Sequence, residues 1–284
     1  MSFDRRITPF RPDLADEKLR GQVDATHFTA GVERRVVAAV APLRRHPSPA
    51  AVLDTQVFMG EVVTVYDEHE GWAWGQLQTD GYVGYLPTAA LGAMGAPPTH
   101  RVATMRTFVY EGPNLKLPFA DFLSLNCAVA VTGHHGDYAE LATGGFVFSA
   151  HLAEIGRQAD DFVAIAESLV GVPYLWGGRT SLGLDCSGLV QTALAASGFA
   201  APRDSDMQEE RLGVSVEIRP DLAGLQRGDL IFWKSHVGIM LDGDWLLHAT
   251  GQTMTVMIEP LAVAEERIRT RSYGPITSIK RLAS

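Results

Sequence analysis

The stretch GLDCSGLVQTALAASG, residues 183–198, contains Cys186, one of two cysteines in a chain of 284 residues. Its apolar residues recur at the spacing of one helix face: Leu189, Val190, Ala193 and Leu194. Gly198 follows where such a helix would end, so the pattern predicts a helix that starts at Cys186, behind Asp185 as its N-cap. The unpaired amides and the positive dipole end at a helix start favour the thiolate form of a cysteine. Cys186 is therefore a candidate nucleophile, and the alternative is a small buried core residue.

The sequence on both sides of this helix predicts an α+β domain over residues 158–284. Upstream, ADDFVAIAESLVG has the periodicity of a first helix, with Asp160 as its cap and Gly171 at its end. The glycine-rich stretch GVPYLWGGRTSLGLD is a loop that joins the two helices. Downstream, the polar stretch PRDSDMQEE predicts another loop, and GDLIFW, HVGIML, WLLHAT and TVMIEP predict antiparallel strands.

Two histidines in these strands, His236 and His248, are candidate partners of the thiol, because a nucleophilic cysteine needs a base. A connecting loop with an odd number of residues, such as Asp242-Gly243-Asp244, would place both imidazoles on one face of the sheet. A strict two-residue turn would place them on opposite faces. With a shared face, one imidazole acts as the base and the other orients it, as in catalytic triads. Either histidine alone is more often a half-buried structural residue.

The N-terminal half of the chain predicts β structure after a short helical segment over residues 1–32. The helix falls in DLADEKLRG, with an aspartate as its cap. Short apolar alternations between Gly, Pro and Asp turns then predict β domains over 33–95 and 96–157, joined by GAMGAPPTH. A weak internal repeat supports this division, since DGYVGYLPTAAL and GGFVFSAHL align with Gly81 and Gly145, which are 64 residues apart.

The composition limits the partners of the chain. Its formal net charge is −9, so nucleic acid and anionic membrane surfaces are not expected partners. The sequence has no run of 18 apolar residues and no apolar run near its start that would form a signal peptide. Two cysteines cannot form a disulfide framework. These features predict a cytoplasmic protein with reduced thiols.

Three sequence blocks in order, PYLWGG…DCSGLV, RGDLIFW…HVGIML and LLHATG, resemble the NlpC-type papain-like cysteine peptidases of bacterial cell-wall metabolism. The resemblance covers residues 158–282. In the first β domain, GW, DGYVGY and TAAL resemble a bacterial SH3-like domain, and the second copy is weaker. The whole chain resembles the γ-D-glutamyl-L-diamino acid endopeptidases, the dipeptidyl-peptidase VI group. The resemblance implies two small all-β SH3-like barrels followed by an α+β papain-like peptidase domain.

The resemblance also implies a role for each matching residue. Cys186 matches the nucleophile, His236 the base, and His248 the residue that orients the base. The residues that match the substrate pocket are Tyr174, Asp185, Ser187, Asp204 and Ser205 in the peptidase domain, and Glu61 and Tyr82 in the first β domain.

Two of these assignments carry a further expectation. The Asp185 carboxylate is expected to bind the free amine of an N-terminal L-Ala in the substrate, in addition to capping the helix. Tyr85 stands where many members of the family have tryptophan, so the assignment of Tyr82 could shift to Tyr85.

The implied substrate is a peptidoglycan-derived peptide, L-Ala-γ-D-Glu-diamino acid, which a monomeric enzyme cleaves without a cofactor during the recycling of wall peptides. The sequence does not distinguish meso-diaminopimelate from L-Lys as the diamino acid. Two alternatives stay open. One thiolate and two imidazoles are also suitable zinc ligands, so Cys186, His236 and His248 could serve a zinc-dependent hydrolase. The chain could also be a non-catalytic protein that binds cell-wall peptides.

Overall fold

The computed structural model describes residues 3–282, and the chain divides into two compact units, Met1–Arg157 and Gln158–Ser284. Each unit contains its own buried apolar core. Within the described residues, no helix has both the length and the apolar character that crossing a membrane requires.

The described part of the N-terminal segment contains two short strands and a single 3₁₀ turn, joined by turns and bends. Strand β1 (Leu14–Asp16) pairs in parallel with β2 (His27–Thr29), and Glu17–Leu19 form a single 3₁₀ turn. The prediction of a longer helix is wrong because contacts with the following β body fix the strand conformation. The hydroxyl of Tyr66 donates a hydrogen bond of 2.8 Å to the carboxylate of Asp16.

The first β body is an antiparallel sheet in the order β5-β4-β8-β7-β6-β3-β9. Its strands are β3 (Val32–Val36), β4 (Val40–Arg44), β5 (Leu53–Phe58), β6 (Val62–His69), β7 (Trp72–Leu77), β8 (Val83–Pro87) and β9 (Leu91–Gly92). Alternate residues point into its core, as period-2 strands require.

The second β body consists of two antiparallel sheets, in the orders β12-β11-β16-β15-β14 and β13-β10-β17. Its strands are β10 (His100–Val102), β11 (Arg106–Tyr110), β12 (Phe119–Ser124), β13 (Ala128–Val129), β14 (Val131–His135), β15 (Tyr138–Leu141), β16 (Phe146–Phe148) and β17 (Leu152–Glu154). Cys127 is buried in its core, as its apolar context in the sequence indicates.

The two β bodies share one strand order. The series β12-β11-β16-β15-β14 repeats β5-β4-β8-β7-β6, and the pair β10-β17 repeats β3-β9. Both bodies end in a strand, a 3₁₀ turn and a second strand, with the turns at Thr88–Ala90 and Ser149–His151. The weak sequence repeat thus corresponds to a structural repeat, and the identification of the second body as an SH3-like barrel stays a prediction.

The second unit combines helices with a six-stranded antiparallel sheet in the order β20-β25-β21-β22-β23-β24 and a two-stranded antiparallel sheet, β18-β19. The helices are α1 (Phe162–Glu167), α2 (Cys186–Ala196), α3 (Ser205–Arg211) and α4 (Leu261–Arg271). The strands are β18 (Arg179–Thr180), β19 (Gly183–Leu184), β20 (Val214–Val216), β21 (Leu230–Trp233), β22 (His236–Met240), β23 (Trp245–Thr250), β24 (Thr255–Pro260) and β25 (Ile276–Arg281).

Helix α2 is the centre of this unit. Its residues are buried except for Ala195, and it packs against α1 and against strands β22 and β23. Leu189 and Leu194 are fully buried in the core, and each such leucine contributes about 1.5–3 kcal/mol to folding. Because burial fixes α2 on all sides, the residue at its N-terminus has one defined position against the sheet.

Two local predictions for this unit are wrong, and one of its helices was not predicted. Helix α1 is capped by Asp161 rather than Asp160, since the carboxylate of Asp161 accepts the amide hydrogen of Val163 at 2.8 Å. The predicted polar loop PRDSDMQEE contains helix α3, which buries few apolar side chains and therefore has a weak periodicity. Helix α4 follows β24 directly and buries its residues at helical spacing.

Candidate active site

Cys186 is the first residue of α2, and Asp185 is the N-cap, as predicted. The carboxylate of Asp185 accepts amide hydrogen bonds from Gly188 at 2.7 Å and from Gly177 at 2.8 Å. A side chain at Gly188 would collide with the carbonyl of Gly178, so the glycine-rich loop lies directly against the first turn of the helix. These contacts fix both the loop and the helix start around the thiol.

A buried arginine, which the sequence analysis missed, completes this cap. The guanidinium of Arg203 donates to both carboxylate oxygens of Asp185, at 2.9 and 2.6 Å, and to the hydroxyl of Ser187 at 3.0 Å. Its side chain is 1% exposed. Because Arg203 and the loop amides already occupy the Asp185 carboxylate, the structure gives Asp185 a positioning role at the helix start. An additional role in binding a substrate amine stays a prediction.

The thiol of Cys186 is buried, and burial decides its protonation state. Burial and the negative charge of Asp185 raise the pKa of Cys186 to about 12, against the opposing influence of the backbone amides of Val237 and Ser187. The expectation of a depressed pKa at the helix start is therefore wrong, because desolvation outweighs the helix N-terminus. Val237 directly follows His236, so its amide places the sulfur beside the start of strand β22.

His236 and His248 lie on one face of the sheet. Strands β22 and β23 pair Ile239 with Leu247, and the connecting turn closes with a hydrogen bond from the amide of Leu241 to the carbonyl of Trp245. The loop between those two residues has three residues, which is the odd number that a shared face requires. The Nε2 atom of His236 and the Nδ1 atom of His248 are 2.9 Å apart.

The hydrogen-bonded chain continues beyond the two histidines. The Nε2 atom of His248 lies 2.8 Å from a carboxylate oxygen of Glu259 on strand β24. Arg267 on helix α4 donates to both oxygens of Glu259 at 2.6 Å. Burial opposes ionisation of Glu259, but the hydrogen bonds from Arg267 and His248 outweigh burial and lower the pKa of Glu259 to about 2. Glu259 is therefore a carboxylate at neutral pH.

This carboxylate sets the tautomers of both imidazoles. Since an ionised carboxylate only accepts, a neutral His248 carries its hydrogen on Nε2 and presents an unprotonated Nδ1 to His236. His236 then donates from Nε2 and keeps an unprotonated Nδ1. That nitrogen is the one left to accept a proton from Cys186.

The neutral form of His236 is favoured. Burial, followed by the neighbouring His248 and Arg267, lowers the pKa of His236 well below 6.5, and Glu259 opposes this shift. At neutral pH the resting site therefore holds a protonated thiol and a neutral imidazole. A neutral imidazole is able to accept a proton, and the role of His236 as the base that takes the thiol proton stays a prediction.

The remaining predicted pocket residues of this unit lie around the N-terminus of α2. Tyr174 is half-buried and packs against the core cluster that contains Cys186. Burial and the neighbouring charges of Cys186 and Asp185 raise the pKa of the Tyr174 hydroxyl. Asp204 is the residue before helix α3 and Ser205 is its first residue, and both are half-buried next to Arg203 in the chain. Their roles toward a substrate stay predictions.

Glu61 and Tyr82 belong to the first unit. The carboxylate of Glu61 is buried and accepts hydrogen bonds from the amide of Phe58 and the hydroxyl of Thr79, both at 2.9 Å. The ring of Tyr82 is buried in the core of the first β body. Tyr85 is half-buried, and its hydroxyl accepts a hydrogen bond from Arg11 at 3.1 Å. A role for Glu61, Tyr82 or Tyr85 in a substrate pocket stays a prediction.

The zinc alternative conflicts with the hydrogen bonds of the two histidines. Both ring nitrogens of His248 are hydrogen-bonded, one to His236 and one to Glu259, so neither presents a free lone pair to a metal. In residues 3–282 no cluster of three His, Cys, Asp or Glu side chains has the arrangement of a metal site. The carboxylate that contacts His248 comes from Glu259 on the neighbouring strand β24.

The structure therefore defines an α+β domain in which a helix presents a cysteine to a chain of two histidines and a glutamate on an antiparallel sheet. Residues 171–271 match the NlpC/P60 family, and residues 43–91 match the bacterial dipeptidyl-peptidase Sh3 domain. The second unit belongs to the NlpC/P60 family, and the SH3-like resemblance of the first β body is confirmed. Tyr273 and the second β body lie outside the matched ranges.

Similar proteins support this assignment. A γ-D-glutamyl-L-lysine dipeptidyl-peptidase from Bacillus cereus is 28% identical over 259 residues, covering 78% of this chain and 76% of that protein. The protein of the same name from Bacillus subtilis is 25% identical over 243 residues, covering 76% of this chain and 79% of the relative. The crystal structure of an NlpC/P60 family protein from Bacillus cereus has a TM-score of 0.74 at 21% identity and covers 89% of this chain and 100% of that chain. That protein and this chain share a fold.

Sequence reasoning missed Arg203, Glu259 and Arg267. Arg203 directly precedes the predicted pocket residues, and a buried arginine in RDSD needs a buried acid. Glu259 is a lone carboxylate in the apolar strand TVMIEP, next along the sheet to the strand of His248. The sequence could have indicated both residues, because a charged side chain that is buried among apolar residues requires a partner of opposite charge or a hydrogen bond.

We expect Glu259→Gln to lower kcat by about 10²-fold with little change in KM, because glutamine allows the wrong tautomers. The glutamine amide would donate to Nε2 of His248, which would then carry its hydrogen on Nδ1. His236 would accept at Nε2 and lose the unprotonated Nδ1 that receives the thiol proton. Steady-state kinetics of peptide cleavage measures the effect.

The matched control is Glu265→Gln on helix α4, where the native carboxylate pairs with Arg269 at 3.4 Å. We expect Glu265→Gln to keep the kcat of the native protein. Equal effects of the two substitutions on kcat would contradict the role given to Glu259.

Proposed function

We propose that the protein is a cysteine peptidase that hydrolyses the bond between D-Glu and the diamino acid in the peptidoglycan stem peptide L-Ala-γ-D-Glu-diamino acid. The observation that carries this proposal is the chain from His236 through His248 to Glu259, with the Cys186 thiol beside it at the N-terminus of α2. The names of the two Bacillus relatives support the choice of bond.

The reaction begins with transfer of the thiol proton to Nδ1 of His236 as the sulfur of Cys186 attacks the γ-carbonyl of D-Glu. A bond forms between sulfur and carbon, and the carbonyl oxygen becomes an oxyanion. The backbone amide of Cys186 lies at the N-terminus of α2 and is suited to stabilise that charge. Tyr174 lies close enough to Cys186 for the charge of Cys186 to raise the pKa of the Tyr174 hydroxyl, and Tyr174 is the candidate hydroxyl donor.

The second half of the reaction regenerates the site. His236 returns its proton to the departing amine of the diamino acid, and the carbon–nitrogen bond breaks to leave a thioester on Cys186. Water then gives a proton to His236 and attacks the thioester, which releases L-Ala-D-Glu. The thiolate recovers its proton from His236. His248 and Glu259 keep the imidazole in one orientation through both steps.

We further propose that the peptidase requires a free N-terminal L-Ala and acts in the recycling of wall peptides in the cytoplasm. Asp185 and Asp204 are the two candidate carboxylates for contact with the substrate ammonium. Both cysteines are free thiols, which is compatible with a reducing compartment.

The test is mass spectrometry of L-Ala-γ-D-Glu-meso-diaminopimelate incubated with the protein, with the L-Lys peptide and the N-acetylated peptide in parallel. We expect free diamino acid from the free-amine peptides and at least about tenfold less from the acetylated one, the loss of one charged contact. Equal cleavage of the acetylated peptide would remove the N-terminal requirement. No cleavage of any peptide would contradict the peptidase.

A further inference from the structure

Tyr273 stacks on the imidazole of His236. The two ring centroids are 5.4 Å apart and the ring planes are 11° from parallel, which is an offset stack. Tyr273 also lies beside the nucleophile, since burial and the neighbouring Cys186 raise the pKa of its hydroxyl. The Tyr273 side chain therefore contacts the imidazole of His236 and lies near the thiol of Cys186.

Tyr273 is the most exposed of the three rings that contact His236. The imidazole of His236 also contacts the rings of Trp233 and His248, with centroids 5.6 and 5.1 Å away. Trp233 and His248 are at most 1% exposed and His236 is 3% exposed, whereas Tyr273 is 39% exposed. His236 is thus packed against two buried rings, those of Trp233 and His248, and against one partly exposed ring, that of Tyr273.

The end of helix α4 fixes the position of Tyr273. The amides of Ser272 and Tyr273 both donate to the carbonyl of Ile268, at 3.1 and 3.0 Å, and the side chain of Ile268 is buried. Gly274 follows with a φ of +80°, a left-handed conformation that turns the chain away from the helix. The same helix contributes Arg267, which binds Glu259 at the far end of the histidine chain.

We propose that Tyr273 is a positioning residue that covers the solvent side of His236, holds the plane of its imidazole and keeps water away from the Cys186–His236 pair. Helix α4 then supports the base from two ends, through Tyr273 on the ring face and through Arg267 behind Glu259. The effect of Tyr273 on kcat rests on the proposed function. Its effect on the reactivity of the Cys186 thiol does not need a peptide substrate.

The charged and titratable groups around His236 define the expected pH effect. His248 of β23, Glu259 of β24 and Arg267 of α4 act on the pKa of His236, and Tyr273, which stacks on its ring, lies beside Cys186 of α2. Tyr273→Ala leaves the charges of the other groups in place and is expected to admit water to the imidazole of His236. Because desolvation is the largest cause of the low pKa of His236, we expect that pKa to rise toward 6.5 in Tyr273→Ala.

The sign of the effect follows from the role of the base. His236 accepts a proton only when it is neutral, so a higher pKa removes activity at acidic pH and spares it at alkaline pH. With a pKa of about 6.5, roughly one tenth of the imidazole is neutral at pH 5.5. We therefore expect the ratio of kcat at pH 5.5 to kcat at pH 8 to fall up to about tenfold in Tyr273→Ala. Tyr273→Phe retains the ring and is expected to restore the native ratio.

A second readout needs no peptide substrate. Iodoacetamide alkylation of Cys186, followed by peptide mass spectrometry that separates it from Cys127, reports access to the thiol and its ionisation. We expect Tyr273→Ala to be alkylated at least about threefold faster than the native protein at pH 8, since water reaches the sulfur. Trp245→Ala removes a comparably exposed ring, 44% against 39%, and is the matched control with native behaviour.

The two readouts separate the inference from the proposed function. Faster alkylation of Tyr273→Ala with native behaviour of Tyr273→Phe supports the positioning role, even when no peptide is cleaved by the native protein. Cleavage by the native protein together with an unchanged pH ratio and an unchanged alkylation rate in Tyr273→Ala would overturn the inference and leave the peptidase intact. Equal changes in Tyr273→Phe and Tyr273→Ala would also overturn it, because the ring would then not be the cause.

Discussion

We expect Cys186→Ala to lower kcat for the stem peptide by ~10³-fold or more, because the substitution removes the atom that attacks the carbonyl. The fold is expected to persist, since alanine fits the first turn of α2 and the Asp185 cap does not involve the sulfur. Release of free diamino acid, followed by mass spectrometry, measures the loss.

The chain offers a matched control in its other cysteine. Cys127 is fully buried in the core of the second β body. We expect Cys127→Ala to keep kcat within about threefold of the native value, since it removes a small buried side chain that takes part in none of the proposed steps. Full activity of Cys186→Ala, or equal losses in the two variants, would contradict a nucleophilic role for Cys186.

The largest expected effect on stability belongs to Arg203→Met. This substitution removes the guanidinium that holds both oxygens of Asp185 and leaves a carboxylate in a buried site with its strongest partner missing. Breaking one side of such a buried pair costs about 3–5 kcal/mol of the free energy of unfolding. Urea unfolding, with the free energy extrapolated to water, is the measurement.

The matched control is Arg227→Met in the same unit. Arg227 pairs with Asp161 at 2.8 Å and with Glu167 at 2.7 Å, but its side chain is 39% exposed. Exposed pairs of this kind are worth about 0–1 kcal/mol. A loss in Arg203→Met no larger than that in Arg227→Met would contradict the structural role of the buried pair.

The parts of the site that lie on regular elements followed from the sequence. The periodicity of CSGLVQTALAASG and its flanking glycines locate the helix, and the helix places Cys186 at its N-terminus. The three residues between Leu241 and Trp245 decide the face of His248, a choice that strand patterns alone leave open. The sequence thus indicated that Cys186, His236 and His248 come together. The length of the turn between β22 and β23 decided that the two imidazoles lie on the same face of the sheet.

The parts that the sequence did not indicate depend on contacts between distant residues. Arg203 and Asp185 are 18 positions apart, and Tyr273 reaches His236 from the end of a helix that was not predicted. The protonation state of Cys186 also differs from expectation. A helix N-terminus lowers a thiol pKa, but the degree of burial that opposes it is a property of the folded unit.

Rapid acid quench of the native protein during turnover of L-Ala-γ-D-Glu-meso-diaminopimelate, followed by peptide mass spectrometry, tests the central claim most directly. The account predicts a transient L-Ala-D-Glu acyl group on the peptide that contains Cys186, which decays as substrate is consumed and does not form in Cys186→Ala. Sustained release of diaminopimelate by Cys186→Ala, with no acyl group on Cys186 in the native protein, would contradict it.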